Sequence, residues 1–295
     1  MFGDDWFGPM GTETSGYQVA TGVFAYTSVP LSRGEYNTDT NLTVVTNPYG
    51  LLRSPWNTNP VPYLGRSQSS YGFALDPTLI PGCSQHYDVM KEEEFSGFGD
   101  SIQEAPHGSL HILIGGVWNA DWAGFLADRN YSYSRAQPLG TVTMARVWRN
   151  GWMTCPTYCS LDTPESECKC SCPDITDWTN ASLTKKMVKN MYPGLTSAPD
   201  FLEDDNGNDL GTDMLKLFCN DYSEMNPRVG DFMQSSSPLD PFFWPTHPTL
   251  DRLWHWRKIN GFLDESWDNS GCWGHQYNDV RSRESCSPFI LLTAR

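Results

Sequence analysis

The stretch from 239 to 261 constrains the fold more than any other part of the chain. It reads LDPFFWPTHPTLDRLWHWRKING, an apolar run followed by a helical pattern that puts Leu250, Leu253 and Trp254 on one face. A single histidine, His247, lies between the two, among aromatic residues. A side chain fixed at the start of a helix in this way is well placed to serve as a metal ligand.

Three further residues predict where this helix begins and ends. Pro248 suits the first turn, because the N–H that proline lacks would have no partner there. Asp251 in the same turn complements the positive end of the helix dipole. Gly261 follows the last periodic residue, where a glycine commonly ends a helix. The expected helix therefore begins near Pro248 and leaves His247 at its entrance.

A second stretch, APHGSLHILIGG from 105 to 116, carries two histidines four residues apart. On a helix, His107 and His111 project from one face and can bind one metal ion. Together with His247 they would form a three-imidazole site, which suits copper or zinc.

We expect the helix that carries these two histidines to span 100 to 114, with Asp100 as its N-cap. Pro106 lies inside this window, where it disturbs an α-helix. The alternative is that Pro106 begins a second helical segment and places His107 in its first turn.

The two stretches together resemble the copper-B half of the tyrosinase, polyphenol oxidase and haemocyanin family. HGSLHILIGG is similar to the family's H-x-x-x-H and Gly-Gly pattern, and DPFFWPTHPTLDRLW is similar to D-P-x-F-x-x-H-H-x-x-x-D-R-L-W. GVFAYTSVPL and YGLLRSPWNTNPVPYLGR also resemble the segment that links the two copper halves of the family. The resemblance covers residues from about 3 to 262, with strong motifs only at 107–116 and 240–254.

The resemblance implies a mainly α fold. It would be a partial tyrosinase-like helical bundle with extensive irregular loops and short β segments, disulfide-rich, forming a single domain over 1–295. One copper of the B type would be held by His107, His111 and His247, and a small phenol and dioxygen would be the substrates.

The resemblance also implies roles beyond the ligands. Asp251 would orient a neighbouring group, and Phe243 or Trp244 would line the phenol pocket. Glu104 is the candidate catalytic carboxylate, which would polarise a copper-bound water or guide the proton of a phenol. The family's asparagine after the first copper-B histidine is replaced by Gly108, so its pairing with a glutamate is incomplete. The alternative for Glu104 is a solvated charge near a helix start.

Two departures from the family affect activity. The family has two adjacent histidines where this chain has Thr246 and His247, and the ligand is the second of the pair. The copper-A half should lie upstream, but the first histidine of the chain is His86, and His86, His255 and His275 fit no copper-A pattern. The chain alone should therefore not be active, and another chain could carry the copper-A half.

Composition limits the possible partners. The net charge is −15, which argues against nucleic acid and anionic membranes. No run of about 18 apolar residues is present, so we expect no membrane span. The N-terminus lacks the basic and apolar regions of a signal peptide. We therefore expect that Met1 is not the native start and that the sequence comes from a longer precursor. The alternative is a true half-domain.

Cysteines and glycosylation sequons indicate an oxidising, secretory setting, and hence a secreted, extracellular protein. Five of the nine cysteines lie within 155–172, where the C-x-C-x-C spacing suits zinc poorly, so disulfides are favoured over zinc. The ninth cysteine would be free or paired between chains. N-glycans are expected at Asn41, Asn130 and Asn180. The disulfide candidates are Cys83, Cys155, Cys159, Cys168, Cys170, Cys172, Cys219, Cys272 and Cys286.

The remaining segments are assigned more coarsely. Residues 1–80 are expected to wrap the core irregularly, with β-like runs at 17–29 and 42–45, and a short helix is expected at 86–99. Residues 120–238 are interpreted as a long Cys-rich insertion with a surface role. It would contain helices at 183–192 and 209–221. Residues 263–295 form a loop-rich C-terminal extension.

Two functions remain open at this stage. The first is a type-3 copper protein that oxidises phenols or catechols with dioxygen when a copper-A half is supplied. The second is a catalytically degenerate secreted glycoprotein that self-assembles in a surface layer, fibre or matrix, its three histidines being kept for packing. Oxygen transport, as in haemocyanins, also requires both coppers.

Overall fold

The computed structural model describes residues 2–29, 53–76, 78, 80–132, 143–191 and 202–262. Within these ranges most regular structure is helical. The helices are α1 Cys83–Met90, α2 Phe95–Ile102, α3 Ser109–Gly115, α4 Trp122–Ala127, α5 Thr143–Arg149, α6 Ala181–Met191, α7 Gly211–Phe218 and α8 Phe243–Ile259. A π-helical turn, Gln103–Gly108, joins α2 directly to α3.

Four short strands form one sheet beside α3. The strands are β1 Ser69–Ser70, β2 Phe73–Ala74, β3 Val117–Trp118 and β4 Arg228–Val229. Their order is β2-β1-β3-β4, and β1 pairs with β3 in parallel while the other two pairings are antiparallel. Val117 pairs with both Ser70 and Val229, so the sheet joins three distant parts of the chain. The architecture is therefore mixed, and the predicted mainly α core describes it only loosely.

The largest hydrophobic core lies within the segment that was interpreted as an insertion. Trp122 of α4, Val147 of α5, Met187 of α6 and Phe218 of α7 pack in one cluster with Val117 of β3. Each of these side chains is at most 1% exposed. Most buried members of this cluster lie within residues 120–238, so the segment forms much of the core on which folding depends, and its expected surface role remains a prediction.

Three disulfides cross-link this core. They are Cys155–Cys170, Cys159–Cys168 and Cys172–Cys219, the first two nested and the third tying the Cys-rich loop to the end of α7. The preference for disulfides over zinc is thus confirmed for these six cysteines. Cys83 is free and exposed, and Cys272 and Cys286 lie outside the described residues.

A second, smaller core holds α3 against the start of α8. Its buried members are Ile114, Phe232 and Phe242. Phe2 and Phe7 of the N-terminal segment pack on the ring of Phe242, with centroid distances of 5.7 and 5.0 Å. This aromatic cluster surrounds the region where the predicted metal ligands lie.

The helices predicted at 183–192 and 209–221 are confirmed as α6 and α7. The helix expected at 86–99 is instead two helices, α1 and α2, which are separated by residues 91–94. The run at 17–29 forms isolated bridges only, from Gln18 to Gly65 and from Ser28 to Tyr63.

Several predicted features fall outside the described residues. They are the β-like run at 42–45, the sequon at Asn41, His275 and the C-terminal extension at 263–295. Within the described ranges, no helix combines the length and the apolar character that a membrane crossing requires.

Candidate metal site

The three histidines singled out by the sequence lie together. His107, His111 and His247 each offer a ligand nitrogen, and these nitrogens are within 4.8 Å of one another. The Nε2 atoms of His107 and His111 are 2.8 Å apart. An imidazole nitrogen binds zinc at about 2.0–2.1 Å, which puts the nitrogens of a tetrahedral set about 3.4 Å apart. The cluster spans that spacing, so it could hold one metal ion.

The π-helical turn that carries His107 has a local cause. Proline at 106 has no N–H, and in an α-helix its ring would meet the carbonyl of Ile102, four residues earlier. The wider π turn, Gln103–Gly108, avoids this contact while the helix continues. Two predictions are therefore wrong: Pro106 does not begin a new helix, and Asp100 lies inside α2 instead of capping it.

His247 lies within α8, and the helix begins earlier than predicted. Phe242 is its N-cap, and the carboxylate of Asp240 accepts a hydrogen bond from the backbone N–H of Phe242 at 2.9 Å, which fixes the turn before Phe243. Pro248 is consequently inside the helix and not in its first turn. At the other end Asn260 is the C-cap and Gly261 follows at φ +88°. Gly261 was predicted as the C-cap and instead lies one residue past it, in the left-handed conformation that commonly follows a helix end.

Gly115 at the end of α3 and Gly230 let α3 approach the turn Asp231–Met233. A Cβ added at Gly115 would overlap the backbone and side chain of Met233, and one at Gly230 would overlap the carbonyl of Gly115. Glycine is required here because two backbones are in direct contact. This contact brings the carbonyl of Phe232 to the ring of His111.

Neighbouring groups fix the orientation of two of the three imidazoles. Nδ1 of His111 bonds to the carbonyl oxygen of Phe232, and the two rings stack with centroids 4.5 Å apart. The Nδ1–H donates to that carbonyl, so Nε2 is the nitrogen left to bind a metal. The ring of His247 stacks on Phe243 at 3.7 Å. Nε2 of His247 is buried and has no hydrogen-bond partner among the described residues, which is the state that a bound metal ion would relieve.

Burial keeps two of the imidazoles neutral. Burial lowers the pKa of His111 to about 4, although its hydrogen bond to Phe232 acts in the opposite direction. Burial also lowers the pKa of His247 to about 4, and the neighbouring His107 adds to this shift. Both rings are therefore neutral at pH 7, the form that binds metal ions.

The other predicted site residues lie around this cluster. Phe243 contacts His247, whereas Trp244 is 63% exposed and contacts Phe243 with centroids 5.4 Å apart. Asp251 is exposed and lies 3.5 Å from His255, one turn further along α8. Glu104 is exposed, and within the described part of the chain its side chain has no hydrogen bond or ion pair. The roles expected of Asp251, Trp244 and Glu104 remain predictions.

Two histidines lie elsewhere. His86 is in α1, where burial, followed by the charge of Arg252, lowers its pKa. His255 is on the exposed side of α8. Neither belongs to the three-imidazole cluster.

Sequence reasoning missed the groups that hold the ligands in place. Asp231 and Asp240 are fully buried and pair with Arg53 and Arg66. The sequence offered only a weak indication of their role, because Asp231 and Asp240 are each a single charged residue at the edge of an apolar run. The carbonyl of Phe232 carries no sequence signal, because every residue has one.

No family model, curated protein or solved structure matches the chain.

Proposed function

We propose that the chain is a copper-B-like half of a type-3 copper protein and binds one copper ion through His107, His111 and His247. The observation that carries the proposal is the convergence of three imidazoles, one of which has a buried Nε2 without a partner. Neutral imidazole suits both copper and zinc. The preference for copper rests on the resemblance of the two histidine stretches to the tyrosinase family.

The residues of the site support metal binding in three ways. The hydrogen bond to Phe232 orients His111, and the stacked Phe243 limits rotation of His247. Both rings are neutral at pH 7, so little proton competition opposes a metal ion. The aromatic residues reduce access of water to the ligands and offer a flat phenol an apolar surface. Bound copper would supply the redox chemistry towards dioxygen.

Oxidation of a phenol by dioxygen, as in the resembling family, needs a second copper with its own imidazoles. The described cluster has three imidazoles, so the second set would come from another chain or from a longer form of this one. We accordingly place the phenol oxidase activity in that assembly and assign metal binding alone to this chain.

The second candidate function is a secreted glycoprotein with a structural role, in which the three-histidine site binds a metal only to stabilise the fold. Three disulfides favour an oxidising compartment. The sequon asparagines Asn130 and Asn180 are exposed. Asn180 caps α6 through Oδ1, which accepts the N–H of Leu183 at 3.0 Å. A glycan on Nδ2 would leave that cap intact.

Metal titration with matched variants tests the site. Copper and zinc are titrated into chelator-treated protein, and affinities are measured by competition with a chelator of known strength. We expect one metal per chain, and a loss of at least about 100-fold in His247→Ala, since even residues outside the ligand set cost 10–100-fold. His255→Ala removes an exposed histidine of the same helix and should bind as the wild type does. Equal affinities in all three proteins, or no binding by the wild type, would overturn the proposal.

Natively purified protein separates the two functions. An assembly with two coppers for each copy of the three-histidine site, oxygen uptake with a catechol and a near-ultraviolet band that appears on oxygenation would support the oxidase. One metal per chain without oxygen uptake would favour the structural role.

A further inference from the structure

Two buried arginine–aspartate pairs connect one segment of the chain, residues 53–66, to both halves of the histidine cluster. Arg53 donates from Nε and Nη2 to the two carboxylate oxygens of Asp231, at 2.8 and 2.9 Å. Arg66 donates in the same two-pronged way to Asp240, at 2.8 and 2.6 Å. All four side chains are 0% exposed.

The first pair, Arg53 and Asp231, lies next to the residue that orients His111. Asp231 precedes Phe232, whose carbonyl accepts from His111. The carboxylate of Asp231 also accepts from the N–H of Gly65 at 2.8 Å and from the hydroxyl of Ser236 at 2.9 Å. The position of the Phe232 carbonyl is therefore set by a carboxylate that cannot shift without breaking several hydrogen bonds.

Arg53 is itself held by the backbone of its own segment. Beyond Asp231, its guanidinium donates to the carbonyls of Asn59, Val61 and Tyr63, at 2.8, 2.5 and 2.9 Å. All five guanidinium donors point at fixed acceptors, a use for which lysine is a poor substitute.

The second pair, Arg66 and Asp240, lies at the start of α8, the helix that carries His247. Asp240 accepts the N–H of Phe242, and its carbonyl accepts the N–H of Phe243, both at 2.9 Å. His247 follows just over one turn later. Arg66 also donates to the carbonyl of Gly8 at 3.1 Å. A shift of Asp240 would therefore move the first turn of α8, and His247 with it.

Buried ion pairs are weak evidence for stability, because desolvation offsets much of their attraction. What these two pairs supply is geometry. We propose that Arg53 and Arg66 are positioning residues of the metal site: Arg53 sets His111 through Asp231 and the Phe232 carbonyl, and Arg66 sets His247 through Asp240 and the first turn of α8. The inference rests on the proposed metal binding.

The test uses Arg53→Lys and Arg66→Lys, which keep the charge and lose the two-pronged hydrogen bonding. Arg228→Lys is the matched control: Arg228 is 3% exposed and donates to the carbonyls of Thr58 and Cys168 and to the carboxylate of Glu165, all at 2.8 Å, whereas Arg53 and Arg66 bind Asp231 and Asp240. Copper affinity is measured by chelator competition, and the copper-saturated proteins are compared by electron paramagnetic resonance.

We expect each of the two variants to lose about tenfold or more in copper affinity, the range for residues outside the ligand set, with a changed hyperfine splitting at saturation. Arg228→Lys should lower the unfolding midpoint and leave affinity and spectrum as in the wild type. A purely structural role for Arg53 and Arg66 would lower the midpoint in all three variants and leave the spectra unchanged, which would overturn the inference.

If Arg53→Lys does not fold, Ser236→Ala tests the same connection through Asp231. It removes only the hydroxyl that bonds to Asp231, so reduced affinity with a changed spectrum would support the inference and wild-type behaviour would contradict it. Absence of metal binding by the wild type would instead defeat the proposed function. The two failures are thus distinguishable.

Discussion

Two imidazoles of the histidine cluster each have an aromatic side chain on one face. Phe232 lies against His111 with an interplanar angle of 18°, and Phe243 lies against His247 with an angle of 24°. Stacking limits rotation of the imidazoles before any metal binds, so less ordering remains to be done on binding. The same phenylalanines remove water from the rings, which accounts for the lowered pKa values of both histidines.

These pKa values predict how stability depends on pH in the metal-free protein. In the unfolded chain a histidine has a pKa near 6.5, whereas in the folded chain the values for His111 and His247 are about 4. The unfolded state therefore binds more protons between these values, and this contribution to stability is complete above about pH 6.5 and is lost as the pH falls through about 4.

The measurement is urea unfolding of chelated protein at pH 7.5 and pH 5. The free energy of unfolding should fall between the two in the wild type and fall less in His111→Gln, which cannot take up the proton. Carboxylates also titrate below pH 5, so the difference between the two proteins is the informative quantity. An identical pH dependence in both would contradict the assigned pKa shift.

At the scale of elements, the π turn sets the rotation of α2 relative to α3. Phe98 of α2 lies 4.5 Å from the guanidinium of Arg257 in α8, and the ring of His107 lies 4.9 Å from that of His247, also in α8. Nine steps of about 100° in an unbroken α-helix would put Phe98 and His107 about 180° apart. The wider π turn contains one extra residue, which reduces the rotation between Phe98 and His107 about the helix axis to about 80°. Both side chains can therefore face α8.

Replacing Pro106 should weaken metal binding through this rotation. Alanine is about 3 kcal/mol more favourable than proline inside an α-helix. Pro106→Ala would therefore allow a regular α-helix to compete, in which Phe98 and His107 face opposite sides. We expect about a tenfold loss of copper affinity, measured by chelator competition.

Deleting Ala105 in the Pro106→Ala background should restore affinity, because a regular α-helix then keeps the observed rotation. Pro248→Ala is the control, since Pro248 lies beside His247 in a helix without a π turn, and its affinity should be unchanged. No loss in Pro106→Ala, or no recovery in the deletion variant, would show that the π turn does not set the position of His107.

At the scale of the whole molecule, the largest core and the core beside the histidines differ in how they are held. The larger core is closed by disulfides with sequence separations of 15, 9 and 47 residues. Loop closure of the longest contributes about 4 kcal/mol in the chain-entropy model. The smaller core, built around Ile114, Phe232 and Phe242, contains no disulfide within the described residues. Its cross-link would be the metal ion.

The sequence predicted which histidines cluster better than it predicted the elements that carry them. His107 and His111 are four residues apart on one helix, which is a local pattern, and His247 stands alone in a stretch that resembles a known site. The start of α8 was misplaced because the turn before it is held by Asp240, which Arg66 fixes through a tertiary contact 174 residues away. The acceptor for His111 was missed for the same reason, since Phe232 is 121 residues distant.

The fold was less predictable than the site because its main core comes from residues that show no long periodic pattern. The helices α4, α5 and α7 have at most eight residues each. Such short helices owe their stability to tertiary packing. Disulfide pairing, in addition, cannot be deduced from cysteine spacing.

If the metal ion cross-links the smaller core, the two cores should respond independently to two treatments. A chelator should lower amide protection in α3 and α8, whose contacts converge on the histidines, and leave α7 in the larger core unchanged. Disulfide reduction should do the opposite, because Cys219 directly follows α7 and loses its link to Cys172. When two regions of a protein unfold separately, their amide hydrogens exchange at independent rates.

Hydrogen exchange followed by mass spectrometry of peptides from these helices provides the measurement. His247→Ala, which lacks a ligand, should match the chelated wild type and should gain no protection in α3 or α8 when metal is added. Loss of protection in all three helices on chelation would mean that the molecule unfolds as one cooperative unit. In that case the metal ion would contribute to the stability of the entire chain, and the larger core would depend on the three histidines as much as on its disulfides.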